Sequence, residues 1–152
     1  MKVVNRNVTY ENGIFSRSNF LSVDHSGNHV NSVAFIDSNL LDVTFKGAKL
    51  YKVSFKNSNL KSISFEEADL ENVWIQNTKF EGITFKNAKI KNTIIYGDMN
   101  EVDIEGATFE NVYVNGKLFR NEEKNKKYFG NINILFDELF TKIRYLFMQN
   151  QY

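Results

Sequence analysis

His25 and His29 stand four residues apart, and Asp24, His25 and Ser26 follow one another directly. On a helix the first spacing suits zinc, and acid, base and hydroxyl are the residue types of a nucleophilic relay. The context supports neither chemistry. Gly27 and Asn28 make residues 24–29 an irregular early coil rather than a helix, with Asp24 alone as a third ligand. Residues adjacent in sequence also have the wrong geometry for a relay. Carboxylates crowd two further places: Glu66, Glu67, Asp69 and Glu71, and Asp98, Glu101, Asp103 and Glu105. They would serve as general acids only in a pocket that raises a pKa, and their positions are expected to face water on a convex surface. The chain has no Cys, which removes disulfides, thiolate catalysis and zinc–thiolate sites. It has no glycine-rich phosphate loop. We therefore expect no catalytic residue, no cofactor and no metal, and no enzymatic activity.

The elements around these residues are more informative than the residues themselves. The chain has 152 residues and a mass of 17.7 kDa, enough for one domain with its own core. Nineteen Lys and Arg oppose eighteen Asp and Glu, for a net charge of +1. That balance argues against a nucleic-acid partner, since a neutral surface gains little from counterion release. No apolar run approaches the roughly 20 residues that span a bilayer, and the start MKVVNRNVTYENG lacks the apolar stretch of a secretory signal. The expectation is a cytoplasmic protein with no membrane partner, and Asn7-Val8-Thr9 is then not a glycosylation acceptor. Abundant Asn, Lys, Ile and Phe fit an AT-rich, bacterial genome. Asn occurs 21 times, Phe 14 times and Pro never.

A period of five dominates the chain. Every fifth residue from Tyr10 to Ile95 is large and apolar or aromatic in seventeen of eighteen cases, the exception being His25. With 42% apolar residues overall, this is pattern rather than chance. One residue is missing near Tyr96-Gly97, and the series resumes at Met99, Ile104, Phe109, Val114 and Phe119. A second column lies two residues earlier, from Val33 to Ala88, in which β-branched and small residues alternate. Five is the period of neither a helix nor a long strand. Residues two apart share one face of a short extended side, and the remaining positions are rich in turn formers. A chain that turns every five residues with the same side inward winds around an apolar shaft, and stacked coils bury what one coil cannot.

Ser18-Asn19-Phe20, Ser38-Asn39-Leu40, Ser58-Asn59-Leu60 and Ala68-Asp69-Leu70 carry this pattern most plainly. Over about residues 8–120 the chain resembles the pentapeptide-repeat proteins, whose loose motif is Ala or Ser, Asp or Asn, Leu or Phe, then two variable residues. The resemblance implies an all-β solenoid, a right-handed quadrilateral β-helix, here with about five and a half coils over residues 1–120. The one-residue deletion is expected to bend or re-aim the coil.

With four sides per coil, residues twenty apart stack. Lys46, Glu66 and Lys86 form one outward column, and Lys49, Asp69 and Lys89 another. These read as solvated charge ladders that fix register. Ala34, Ser54, Trp74, Ile94 and, past the deletion, Tyr113 form an apolar column where polar residues belong, with Tyr96 beside it. Such a stripe marks a contact with another chain or with the protein's own terminal helix. Leu21 and Leu41 form a smaller outward pair, read as local packing.

The period changes after Phe119. Residues 121–152 comprise a charged connector and a C-terminal amphipathic α-helix, with Ile132, Leu135, Phe136, Leu139, Phe140, Ile143, Leu146 and Phe147 at helical spacing. Asn131 is its expected N-cap. Part of this helix is expected to close the last coil. Its excess apolar face is expected to pair with a second subunit in a two-fold homodimer.

Three functions compete on this reading. The first is a non-enzymatic interaction module with an unidentified protein partner, contacting it through Trp74, Ile94, Tyr96, Tyr113 and the apolar residues of 135–147. The second comes from the resemblance, since some relatives bind DNA gyrase or topoisomerase IV by imitating duplex DNA. Residues 1–120 carry fourteen positive and fourteen negative side chains, which does not look like a phosphate backbone. The third is a scaffold without a single partner.

Overall fold

The computed structural model describes residues 3–4, 8–76 and 78–119. Within them the chain is a β-helix of about five turns. Residues pair in parallel with those twenty positions on, as in Ser54 with Trp74 and Leu60 with Phe80. Strands Ile14–Ser16, Ala34–Ile36, Ser54–Lys56, Trp74–Gln76, Ile94–Ile95 and Val112–Val114 stack on one side, with Lys117–Phe119 added antiparallel as a seventh. A six-stranded side runs from Thr9–Glu11 to Thr108–Glu110, and a four-stranded side from Asn19–Leu21 to Lys79–Thr84. The fourth side is held by the bridges Asp24 to Thr44, Thr44 to Ser64 and Thr84 to Asp103.

The corners explain the composition. At Asn12, Arg17, Ser22, Ser32, Asp37 and other corners as far as Asn111, the residue two past the inward apolar position has φ between +49° and +57°. Asn and Asp tolerate this left-handed conformation better than other side chains. On the fourth side Gly27, Gly47 and Gly106 take it at φ of +65° to +69°, each as the third residue of a β-turn closed by bonds such as Ala48 N to Phe45 O at 2.9 Å. Proline, fixed near φ −65°, fits no such corner, and elsewhere it would remove a ladder hydrogen bond.

Inside, the apolar columns form a single-file core. Phe35 stacks on Phe55 at 5.0 Å, and Phe45, Phe65 and Phe85 stack at 5.4 and 5.1 Å. Edge-to-face contacts link the two piles, as between Phe55 and Phe65 at 6.1 Å. The small residues of the second column sit at the inner corners. Ala48, Ala68 and Ala88 are fully buried, while Ser38 and Ser58 bond the backbone. Ser58 Oγ accepts from Ser38 N at 3.2 Å and donates to Lys56 O at 3.1 Å. Each buried hydroxyl is thereby satisfied.

The segment 24–29 is not irregular. His29–Asn31 keeps the twenty-residue register with Lys49–Tyr51, and His25 replaces a Phe in the aromatic pile, stacked on Phe45 at 5.2 Å. Asn28 makes this possible. Its Nδ2 donates to His25 Nδ1 at 3.2 Å and its Oδ1 accepts from Val8 N at 2.9 Å, so the expected irregularity becomes a polar rung. The missing residue makes the last coil nineteen long, with Ile94 facing Tyr113 and Lys89 facing Thr108. The shortening falls on the four-stranded side, which stops at Lys79–Thr84. Asn115 bridges the shortened corner, donating to Gly97 O at 2.8 Å and accepting from Gly97 N at 3.0 Å. The six- and seven-stranded sides go on pairing across this corner at an offset of nineteen instead of twenty, so the deletion shortens one side. Residues 120–152, and with them the expected helix, lie outside the described residues.

Candidate functional site

The apolar column of the seven-stranded side is continuous. Ile14, Ala34, Ser54, Trp74, Ile94 and Tyr113 are successive register partners, and Leu118 of the antiparallel hairpin pairs with Tyr113. Ala34, Ser54, Trp74, Ile94 and Tyr113 each lie between two buried residues, as Trp74 does between Val73 and Ile75. The strand alternation that fills the core therefore turns this column outward. Ile14 is 72% exposed, Ile94 only 9%, and Ala34, Ser54, Trp74, Tyr113 and Leu118 are half-buried. Tyr96, in the adjacent outward column, is 42% exposed. Burial raises the Tyr113 phenol above its ordinary value.

The structure thus brings Trp74, Ile94, Tyr96 and Tyr113 onto one side as expected. The expected contacts Leu135, Phe136, Leu139, Phe140, Ile143, Leu146 and Phe147 lie outside the described residues. Two members were missed. Ile14 stands twenty residues before Ala34 and was legible from the same spacing. Leu118 enters through a hairpin, which no period of five could announce.

Elsewhere the outward positions are mostly polar, with Leu21 60% and Tyr51 39% exposed as apolar or aromatic exceptions. Lys46 lies 3.1 Å from Glu66 and 3.5 Å from Glu67, Lys61 2.7 Å from Glu81, Lys86 3.2 Å from Glu105, and Lys91 3.3 Å from Glu110. Hydrogen bonds to Glu66, Glu81 and Glu105 hold the Lys46, Lys61 and Lys86 ammonium groups above their ordinary range. The carboxylates singled out as crowded are in part committed to these pairs. Asn19, Asn39 and Asn59 form a further ladder, with amide-to-amide bonds of 2.8 and 2.6 Å.

Two concavities lie among the described residues. At the N-terminal end the shaft opens into an apolar cavity of about 270 Å³ walled by Tyr10, Phe15, Phe20, His25 and Phe35. Burial lowers the pKa of His25 against the opposing pull of Asp24. Beside the short coil a shallow groove of about 640 Å³ runs between Lys61, Phe80, Glu81 and Asp98. Among the described residues no three His, Cys, Asp or Glu gather as a metal would need, and no helix is long and apolar enough to cross a membrane.

Comparison with known proteins bears on this geometry. Residues 6–85 and 28–119 match the family described as "Pentapeptide repeat region". No curated protein matches the chain in sequence. Among solved structures, a pentapeptide repeat protein from the cyanobacterium Cyanothece superposes with a TM-score of 0.58 at 15% identity, over 73% of this chain and 86% of that one. One from the thylakoid lumen of Arabidopsis thaliana does so with a TM-score of 0.51 at 22% identity, over 70% and 72%. QnrB1, a plasmid-mediated fluoroquinolone resistance protein, aligns with a TM-score of only 0.38 at 16% identity, over 73% and 70%. With its twenty-residue register, aromatic shaft and matched repeats, the chain belongs to the pentapeptide repeat family.

Proposed function

We propose that the protein is a non-enzymatic interaction module, a right-handed quadrilateral rod whose contact surface is the column from Ile14 to Tyr113 together with the apolar face of residues 131–147. A second copy of the chain is one partner, in a two-fold homodimer. The observation that carries this reading is the column itself: six register-paired outward positions without a charge, on a solenoid whose other sides carry Lys–Glu pairs and an Asn ladder. An apolar stripe bounded by polar sides is the signature of a contact surface. The alternation weighs against a duplex-DNA mimic, because Lys46, Lys61 and Lys86 each neutralise a carboxylate on the next rung.

Light scattering on the full chain and on Trp74→Glu tests the proposal. Trp74 points outward and fills no core space, so the variant keeps the fold. We expect a dimer for the parent and a monomer for the variant. Deleting residues 131–152 is expected to give a monomer or an aggregate. A dimer unchanged by either alteration refutes the proposed surface.

A further inference from the structure

The apolar column begins where the described chain ends. Val112–Val114 is the last rung of the seven-stranded side, and Lys117–Phe119 folds back against it with Leu118 facing Tyr113 and Phe119 facing Val112. Phe119 is buried and meets Phe109 edge to face at 4.4 Å. The chain is thereby anchored at one end of the column, and residues 120–152 depart from that point.

Three features of the departing segment match the column. Its apolar spacing spans residues 131–147, which as a helix is about 25 Å long. The column from Ile14 to Tyr113 covers five rung spacings, or about 24 Å. An eleven-residue connector, 120–130, has a flexible reach of roughly 17–20 Å, enough to turn the segment back along the side. Short tethers give effective concentrations in the millimolar range, so a surface this close to the anchor meets its own chain before another. At 100° per residue, Leu135, Leu139 and Leu146 fall on one flank of the apolar arc, and Phe136, Phe140 and Phe147 on the other.

We propose that residues 131–147 lie lengthwise on the column of their own chain, running from the Tyr113 end toward Ile14. The leucine flank covers Trp74 and Ile94, and the phenylalanine flank stays available to the partner. This rests on the reading of the column as a contact surface and names its occupant.

The absence of Cys makes engineered pairs unambiguous. In the full chain, Ser54→Cys is combined in turn with Leu135→Cys, Leu139→Cys and Leu146→Cys, oxidised mildly and run on a denaturing, non-reducing gel. At least one pair is expected to close within one chain and migrate at monomer mass. In parallel, acrylamide quenching of the single tryptophan, Trp74, is expected to rise in Leu139→Asp, with the β circular dichroism unchanged. Disulfides formed only between chains overturn the placement within one chain while leaving the homodimer standing. No disulfide from any pair, with Trp74 quenching unaltered, overturns the docking altogether. An intrachain disulfide in a protein that scatters as a monomer keeps this inference and removes the dimer.

Discussion

Phe65→Ala tests whether the aromatic pile is the main source of stability. Phe65 is fully buried, with Phe45 and Phe85 stacked at 5.4 and 5.1 Å and Phe55 edge-on at 6.1 Å. Deleting a buried Phe side chain costs about 3–5 kcal/mol, depending on how far the site collapses. Here collapse is resisted, because backbone bonds hold the rungs at fixed spacing, such as Phe65 N to Thr84 O at 2.9 Å and Phe45 N to Ser64 O at 2.7 Å. The cost should therefore reach the upper part of that range, about 4–5 kcal/mol. Phe15→Ala is the control, since Phe15 sits half-buried at the open mouth with Phe20 and Phe35 at 5.3 Å. Its loss should cost about 1–2 kcal/mol, part of the value of one buried side chain. With a urea slope of about 2 kcal/mol per molar, Phe65→Ala lowers the unfolding midpoint by about 2 M and Phe15→Ala by under about 1 M. Equal midpoints for the two variants would show that rung spacing adjusts freely and refute the reasoning.

Other outcomes follow from single residues. His25 has a folded pKa below its ordinary 6.5, so the unfolded chain binds its proton first. Its contribution is complete above pH 6.5 and is lost as pH falls from there to the folded value. Melting compared at about pH 8 and about pH 5 should show a larger acid loss in the parent than in His25→Phe. Lys61→Ala removes the shortest ion pair among the described residues, 2.7 Å to Glu81, yet the side chains are 54% and 69% exposed. The loss should be too small to shift the melting temperature measurably, because an exposed pair is screened by solvent, and a melting temperature lowered by several degrees would contradict this. Gly106→Ala should cost more than about 1 kcal/mol, because φ is +69° and a Cβ there runs into the Asn87 side chain; an unchanged urea midpoint would contradict it.

Most of the solenoid was legible because its rule is local and repeated. The inward positions recur every five residues, and the same arithmetic placed Ala34, Ser54, Trp74 and Ile94 in one column. Features depending on one residue's partner were not legible. His25 looked like a disruption because spacing shows its polarity but not that Asn28 meets its ring nitrogen. The period announced the missing residue but not how the coil closes over it, because nothing in the spacing reveals that Asn115 reaches across to Gly97. The column's extension to Leu118 depends on a hairpin outside the repeat. Of the two charge columns expected, only Lys46 with Glu66 forms an ion pair among the described residues. Lys86 turns to Glu105, and Lys61 with Glu81 and Lys91 with Glu110 pair in columns that were not foreseen.

The parallel twenty-residue register also sets how the molecule bears tension. Pulled by its ends, it offers no single clamp in which all rungs share the load. The outermost coil peels first and exposes the next as the new edge. Each event frees twenty residues, a contour gain of roughly 70 Å, while the remaining stack shortens by only about 4.8 Å. The force trace should be a staircase of nearly even steps. The nineteen-residue coil should give a slightly shorter step, and the coils stacked through Phe55 and Phe65 should yield last.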